Sequence, residues 1–319
     1  MEVVIYGLVR SVTFALLALG FTFAYGVSRL PNFAHGALYI LAGFLTWTFV
    51  NDLGLCYPLG MLLGVAIVAV IGALIYRLVL IRLRGMPTSE IIGSYAFGLI
   101  ILEGLRIQGG DIPFLSGFKG FIGPFYTLDE YIAVDVVDKT VSIFGFLTNY
   151  QIESTVSILG VDIDYQRLII IGGGILLVAM LWAFTKFTKT GLSLTGIAQD
   201  EQAAMMLGVN SDKMAMISLA IGSAFAGIAA LLILPLGNIV AEKGYEVLIY
   251  ALAVCIIGGL GSWVGAIIAS FILGFATILS TTFFGAMWEE VVLVGTIILI
   301  LAFKPSGLMG KQKELEERT

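Results

Sequence analysis

Between Glu246 and Glu289 the chain carries no charged side chain. A run of roughly 40 uncharged residues is long enough to cross a bilayer twice, because one crossing takes about 20 helical residues. The run is not uniform: "IIGGLGSWVG", Ile256 to Gly265, breaks it with four glycines. Two readings of that break stand side by side. It is either a tight hairpin at the membrane surface or a turn or helix break buried at membrane depth, where irregular backbone survives only if protein or a water-filled cavity satisfies its polar groups.

The same search for uncharged stretches predicts nine spans: Val4 to Tyr25, Ala34 to Val50, Tyr57 to Tyr76, Ile91 to Gln108, Leu168 to Phe184, Met214 to Leu234, Val247 to Ile257, Ser262 to Phe283 and Val291 to Phe303. Composition agrees, with 59% hydrophobic and 12% charged residues and a mean hydropathy of +1.02, far from the mix of a soluble domain. The expected fold is all-α: a polytopic transmembrane helix bundle of about eight to ten spans, some short or broken, in a single membrane domain over residues 1–319. Glu2 and Arg10 flank an apolar start that runs on too long for a cleaved signal and lacks a small-residue cleavage site, so it is read as the first span.

Basic residues set the expected orientation. With Arg77, Arg82 and Arg84 in the cytoplasm, alternation of the spans also places Arg29, Lys186, Lys189, Lys213, Lys304, Lys311, Lys313 and Arg318 there. Only Arg10, Arg106, Lys119, Lys139, Arg167 and Lys243 remain outside. The positive-inside rule then predicts an exterior N-terminus and a cytoplasmic C-terminus in the plasma membrane. Residues 109–166, rich in Asp and Glu, become an exterior insertion, in which the alternating "YIAVDVV" and the turn residues "GVDIDY" point to short strands or a small cap.

Several classes are excluded by what is missing. No basic patch points to nucleic acid, and Cys56 and Cys255 have no CxxC or Cys/His company, so neither a metal site nor a disulfide framework is indicated. GxxxxGK[ST], HExxH and GxSxG are all missing. The chain is therefore expected to bind no cofactor and to hydrolyse nothing itself.

Two stretches carry the functional expectations. "RLPNFAHGALYI" joins the first two spans and contains the only histidine. Its proline breaks the helix, and the freed backbone groups need local partners. Asn32 and His35 either cap the broken helix, or line a solute path or its gate together with Gly36, or, for His35, carry a coupling proton. The second stretch is "FTKTGLSLTGIAQDEQAAMMLGVNSDKMA", Phe187 to Ala215, within a proposed coupling segment at 187–213. Leu194 to Leu207 reads as one helix, with Ile197, Ala204, Met205 and Leu207 on an apolar side and Asp200, Glu201 and Gln202 on a wet one. Gly208 is its C-terminal cap, and Asn210, Ser211 and Asp212 are N-caps for the next span. This is either an interfacial helix or a short rigid helix that protrudes to dock into another protein.

The ordered motifs "ALLALGFTFAYGVSRLPNFAHGALYILAGF", "TGLSLTGIAQDEQAAMMLGVNSDKMAMISLAIGSAFAGIAALLI", "IIGGLGSWVGAIIASFILG" and "LAFKPSGLMG" resemble the permease subunits of branched-chain amino acid ABC importers, a family with relatives serving amides and urea. The resemblance implies a type II importer permease in membrane lipid. An exterior binding protein delivers solute, two permease subunits, identical or paralogous, form the path, and two cytoplasmic ATP-binding subunits use ATP. Gly191, Ala198, Asp200, Ala203 and Gly208 fall on the family's ATPase-contacting loop. Asn32, His35, Gly36, Gly258, Gly259 and Gly261 are the candidates for the path or gate. Two departures stand out: the family usually carries an arginine shortly after the glycine at Gly191, where this chain reads "GLSLTGIAQD", and segment 109–166 is longer than usual.

A proton-coupled secondary transporter would need intramembrane ionisable groups, for which Glu103, Arg106 and His35 are the candidates. Glu103 and Arg106 lie one helical turn apart, which favours a structural pair. A channel would need a ring of polar or carbonyl groups. Neither class has a use for a protruding segment after Lys186. Leucine-like amino acids, other amino acids, amides and urea all remain open as solutes.

Overall fold

The computed structural model describes residues 2–51, 53–106, 155–158, 161–233 and 241–310. Among these, all nine expected spans are helices. They are α1 (Glu2–Ser28), α2 (His35–Asn51), α3 (Tyr57–Ile75), α4 (Pro87–Arg106), α5 (Tyr165–Phe187), α8 (Ser211–Ile233), α9 (Lys243–Gly258), α10 (Trp263–Phe284) and α11 (Glu289–Phe303). Seven of the helical stretches are long and apolar enough to cross a membrane, and α2 and α9, with 17 and 16 residues, are shorter. Helix α3 runs on past its expected end through a π turn at Tyr76–Leu80 to Leu83. Between α5 and α8 lie α6 (Lys189–Gln199) and α7 (Glu201–Met206).

One antiparallel hairpin, β1 (Thr155–Ile158) and β2 (Val161–Asp164), leads into α5, with Thr155 opposite Asp164. Strand β2 covers most of "GVDIDY", which reads in the sequence as turn residues, whereas "YIAVDVV" and most of 109–166 lie outside the described residues.

Helix α1 is the axis of the bundle. Every residue from Phe14 to Tyr25 is buried, as a helix that is apolar all round requires, and α5, α8, α9 and α10 pack around it. In lipid no hydrophobic drive holds helices together, so close packing at small residues must do so. A Cβ built on Gly20 would lie 2.4 Å from the Gly222 carbonyl oxygen of α8, and one on Gly222 would lie 2.6 Å from the Gly20 carbonyl oxygen. A Cβ on Gly274 of α10 would meet the Ser11 Oγ at 2.3 Å. Buried Ser11 and Ser223 satisfy their hydroxyls within their own helices, donating to the Gly7 and Leu219 carbonyls, both at 2.7 Å.

At "IIGGLGSWVG" the structure has a tight turn, in which Gly258 and Gly259 are buried. Gly259 (φ 98°) and Gly261 (φ 83°) form the turn between α9 and α10, and the Ser262 Oγ caps α10 by accepting the Gly265 N–H at 3.1 Å. The segment after α11 pairs onto this turn: Leu308 N–H donates to the Ile257 carbonyl at 2.7 Å and Met309 N–H to that of Gly258 at 3.0 Å. The turn lies against the last residues of α1, where a Cβ on Gly26 would be 2.8 Å from the Gly261 carbonyl oxygen.

These contacts define two ends. Arg29, Arg77, Arg82, Arg84, Lys186, Lys189, Lys213 and Lys304 occupy helix termini at one of them, the basic end, while Arg10, Arg167 and Lys243 lie at the other. The backbone approach of α1 to α8 yields a stability prediction. Gly222→Val places branched carbons against the Gly20 carbonyl and the Ala24 Cβ, at a cost of at least about 1–3 kcal/mol, and should lower the thermal unfolding midpoint in detergent. Gly104→Ala on α4 meets no atom within 4 Å and should leave the midpoint unchanged or raised.

Candidate functional site

The first candidate lies where α1 gives way to α2. Helix α1 ends at Ser28, and Arg29 takes φ 53°, a left-handed conformation costly for a side-chain-bearing residue. The following backbone finds a partner at each step. Leu30 N–H donates to the Ser28 Oγ at 3.2 Å, Phe33 N–H to the Ser94 Oγ of α4 at 3.2 Å, and the Ser94 hydroxyl donates to the Pro31 carbonyl at 3.3 Å. The Asn32 Oδ1 accepts the Ala34 N–H at 3.1 Å, and the Asn32 carbonyl accepts that of His35, also at 3.1 Å. Asn32 is thus a buried cap for the start of α2.

His35 is also buried, 2% exposed, and its Nε2 lies 3.0 Å from the Leu17 carbonyl. A carbonyl only accepts, so Nε2 carries the proton. The ring meets Phe21 edge-on, with centroids 5.8 Å apart. Leu17 lies about 16 Å up α1 from Ser28 at the helical rise per residue, so the chain re-enters the bundle after α1 and begins α2 inside it. A Cβ on Gly36 would stand 1.9 Å from the Gly244 carbonyl oxygen, which brings α2 and α9 together backbone to backbone. Asn32, His35 and Gly36 therefore form one group on α1, α2, α4 and α9. Gly258, Gly259 and Gly261 form another in the turn at the basic end.

The second candidate is the segment between α5 and α8. Thr188 accepts the Gly191 N–H at 2.9 Å and opens α6. A Cβ on Gly191 would be 2.1 Å from the Phe184 carbonyl oxygen, so this fold-back onto the end of α5 admits only glycine. The single helix expected from Leu194 to Leu207 is broken. Asp200 takes φ −152° and ψ 106°, and its side chain caps α7 by accepting the Ala203 N–H at 3.0 Å. The break divides the expected apolar side: Ile197 and Ala204 are buried, whereas Met205, Met206 and Leu207 are 48%, 88% and 86% exposed.

Gly208 ends α7 at φ 84°. Its N–H donates to the Met205 carbonyl at 2.9 Å, and the Val209 N–H donates to that of Ala204 at 3.1 Å, the two bonds of a Schellman turn. The Asn210 Oδ1 then accepts the Lys213 N–H at 2.9 Å and caps α8. Ala203 is exposed on α7, and Ala198 lines a cavity of about 720 Å³ between α6, the end of α1 and the turn at Gly261.

Residues with no assigned role in the sequence reading complete the picture. At the end opposite the basic one, a cavity of about 540 Å³ has Phe14, Leu17, Tyr39 and Val247 as an apolar floor, with Arg10, Arg167, Lys243 and Glu246 around it. Arg10 pairs with Glu289 and lies over the Phe14 ring at 4.9 Å. Arg167 pairs with Asp164 at 3.1 Å. Of the suggested pair on α4, the Arg106 side chain lies outside the described residues. Among the described residues no group of three His, Cys, Asp or Glu side chains is placed to hold a metal ion.

Replacing His35 separates hydrogen bonding from ring packing. His35→Gln retains an N–H for the Leu17 carbonyl and should cost under about 1.5 kcal/mol. His35→Ala loses the bond and leaves a cavity beside Phe21, at about 2–4 kcal/mol. Thermal denaturation of the purified protein reads the difference.

Over residues 3–301 the chain matches the family model described as branched-chain amino acid transport system / permease component. It is 28% identical to the high-affinity branched-chain amino acid transport system permease protein BraD of Pseudomonas aeruginosa, across 98% of this chain and 96% of that protein. It is 24% identical to the corresponding protein LivH of Escherichia coli, across 96% and 94%. PsaBC from Streptococcus pneumoniae in complex with Fab, a solved structure, covers 100% of this chain and 96% of its own at TM-score 0.45 and 14% identity, a likeness too loose to carry any residue across. With nearly its whole length matched by the model, the chain belongs to the branched-chain amino acid transport system permease family.

Proposed function

We propose that the chain is the membrane-spanning permease subunit of an ATP-driven importer of type II, passing amino acids with branched apolar side chains. ATP is used by cytoplasmic ATP-binding subunits, solute arrives from an exterior binding protein, and a second permease subunit completes the path. The observation that carries this reading is the tip of α7. Met206 and Leu207 are almost fully exposed, yet the Asp200 cap and the Gly208 turn hold them in place. A rigid apolar knob on a short polar helix is what a docking partner with a matching groove requires. The clustering of basic residues around it supports a cytoplasmic position for that end and an exterior one for the N-terminus.

The opposite cavity supports the solute class. Charges of both signs around an apolar floor suit a zwitterion with an apolar side chain, and give an uncharged amide or urea less to bind. The full-length relatives BraD and LivH, named as branched-chain amino acid permeases, favour the same class.

The test reads docking apart from folding. Ala204 is buried against the core, so a charge there would damage the permease itself. Ala203→Glu and Met206→Asp alter only exposed positions, where a charge brought into a dry contact meets an unpaired desolvation cost of a few kcal/mol. Both variants should express normally yet lose ATP-dependent leucine uptake in membrane vesicles by about 10-fold or more. Normal uptake in both would leave α6 and α7 as an interfacial segment only. Loss of wild-type uptake when the proton gradient is dissipated at constant ATP would replace the importer with a proton-coupled carrier.

A further inference from the structure

We propose that Arg84 is a positioning residue, the latch through which movement of α7 reaches α4 and, through α4, the helix break at Asn32 and His35. The proposal rests on the reading of α6 and α7 as the ATPase-docking segment. Arg84 ends the extended α3, and its guanidinium joins both neighbouring elements of that segment. One nitrogen meets Glu201, the first residue of α7, and also the Ser211 Oγ at 3.1 Å. The other donates to Asp212 in the first turn of α8 at 2.6 Å. Glu201 in turn accepts the Ser211 hydroxyl, and the Tyr76 hydroxyl in the π turn donates to Asp212 at 2.9 Å. A planar fork that holds two carboxylates on two helices is a task for arginine and not for lysine.

The latch continues into α4. Gly85, at φ 90°, follows Arg84 directly, and its N–H donates to the Glu90 carboxylate at 2.8 Å. Glu90 is 5% exposed, a buried carboxylate fastened to the turn that carries Arg84. One helical turn further along α4, about 6 Å, the buried Ser94 holds the break through the Phe33 N–H and the Pro31 carbonyl. Helix α4 packs chiefly against α2 and the end of α3, and Ile91, Ile92, Tyr95 and Ile100 are exposed along it. A helix with few buried contacts, tied by polar bonds at Glu90 and Ser94, is free to move as a unit and to carry the break with it.

Arg84 supplies a cation to the segment between α5 and α8 from another helix. Glu201, its partner, is about one-third exposed, as Arg84 is itself. The pair therefore adds little to global stability, and its loss should act on coupling before folding.

The test has two arms. In the first, the permease alone is placed in nanodiscs and amide hydrogen exchange is followed. Arg84→Gln should speed exchange across residues 29–35 by about 10-fold, within the ordinary range of coupling between sites. Glu90→Ala should do the same, whereas Glu90→Gln, which keeps a carbonyl for the Gly85 N–H, should stay near wild type. Changes confined to residues around 84, 201 and 212 would overturn the proposal. In the second arm, the permease is assembled with its ATP-binding subunits and given leucine. Arg84→Gln should lower uptake about 10-fold while ATP hydrolysis by the recovered complex is unchanged, and a parallel fall of both would reduce Arg84 to a structural tie. A wild-type complex without ATP dependence would defeat the importer reading instead, and the exchange arm would still decide the latch.

Discussion

Backbone contact between helices is the constraint on which this bundle depends. Where Gly20 of α1 faces Gly222 of α8, each lacks a side chain because the carbonyl of the other occupies the place. Gly274 against Ser11 and Gly36 against the Gly244 carbonyl likewise leave no room for a side chain on the glycine. A membrane protein gains nothing by transferring apolar surface from lipid to protein, so dispersion contacts at this range carry the association. Their consequence for function is that α1 is held rigidly. Elements that move must be those with few such contacts, and of the long spans α11, α4 and α5 are the least buried.

The same constraint explains why the polar break is tolerated. Asn32, Ser28 and Ser94 satisfy the backbone that leaves α1, and His35 spends its one proton-bearing ring nitrogen on a carbonyl of α1. The backbone groups freed by the break thus find their partners within it and on the helices beside it. That geometry favours capping for Asn32 and a helix-to-helix strut for His35, and gives the pair a place beside α4, the helix best placed to disturb them.

The spans were legible because charge-free runs of the right length have one outcome in lipid. Gly208, Asn210 and Ser262 were legible or nearly so, since capping is decided within a few residues. Asp200 carried the same short-range signal, but its position within a run of helix formers hid it, and one helix was expected where the structure has two. The partners of Arg84 were not legible at all: Glu201 and Asp212 lie 117 and 128 residues away in sequence, and no local pattern foretells such a meeting. Nor was the rim formed by Arg10, Arg167 and Lys243, which three separate helix ends bring together. Gly258 and Gly259 were legible as a break, yet their role in receiving the segment at Leu308 and Met309 depends on residues that arrive much later in the chain.

In the proposed importer, energy enters at the basic end through the exposed tip of α7. A photo-crosslinking residue placed at Leu207 in intact cells measures that most directly. A covalent adduct with the ATP-binding subunit is expected, formed in cells whose outer surface has been treated with an impermeant quencher. An adduct with an exterior protein, or none with the ATP-binding subunit when the complex is otherwise assembled, would contradict it.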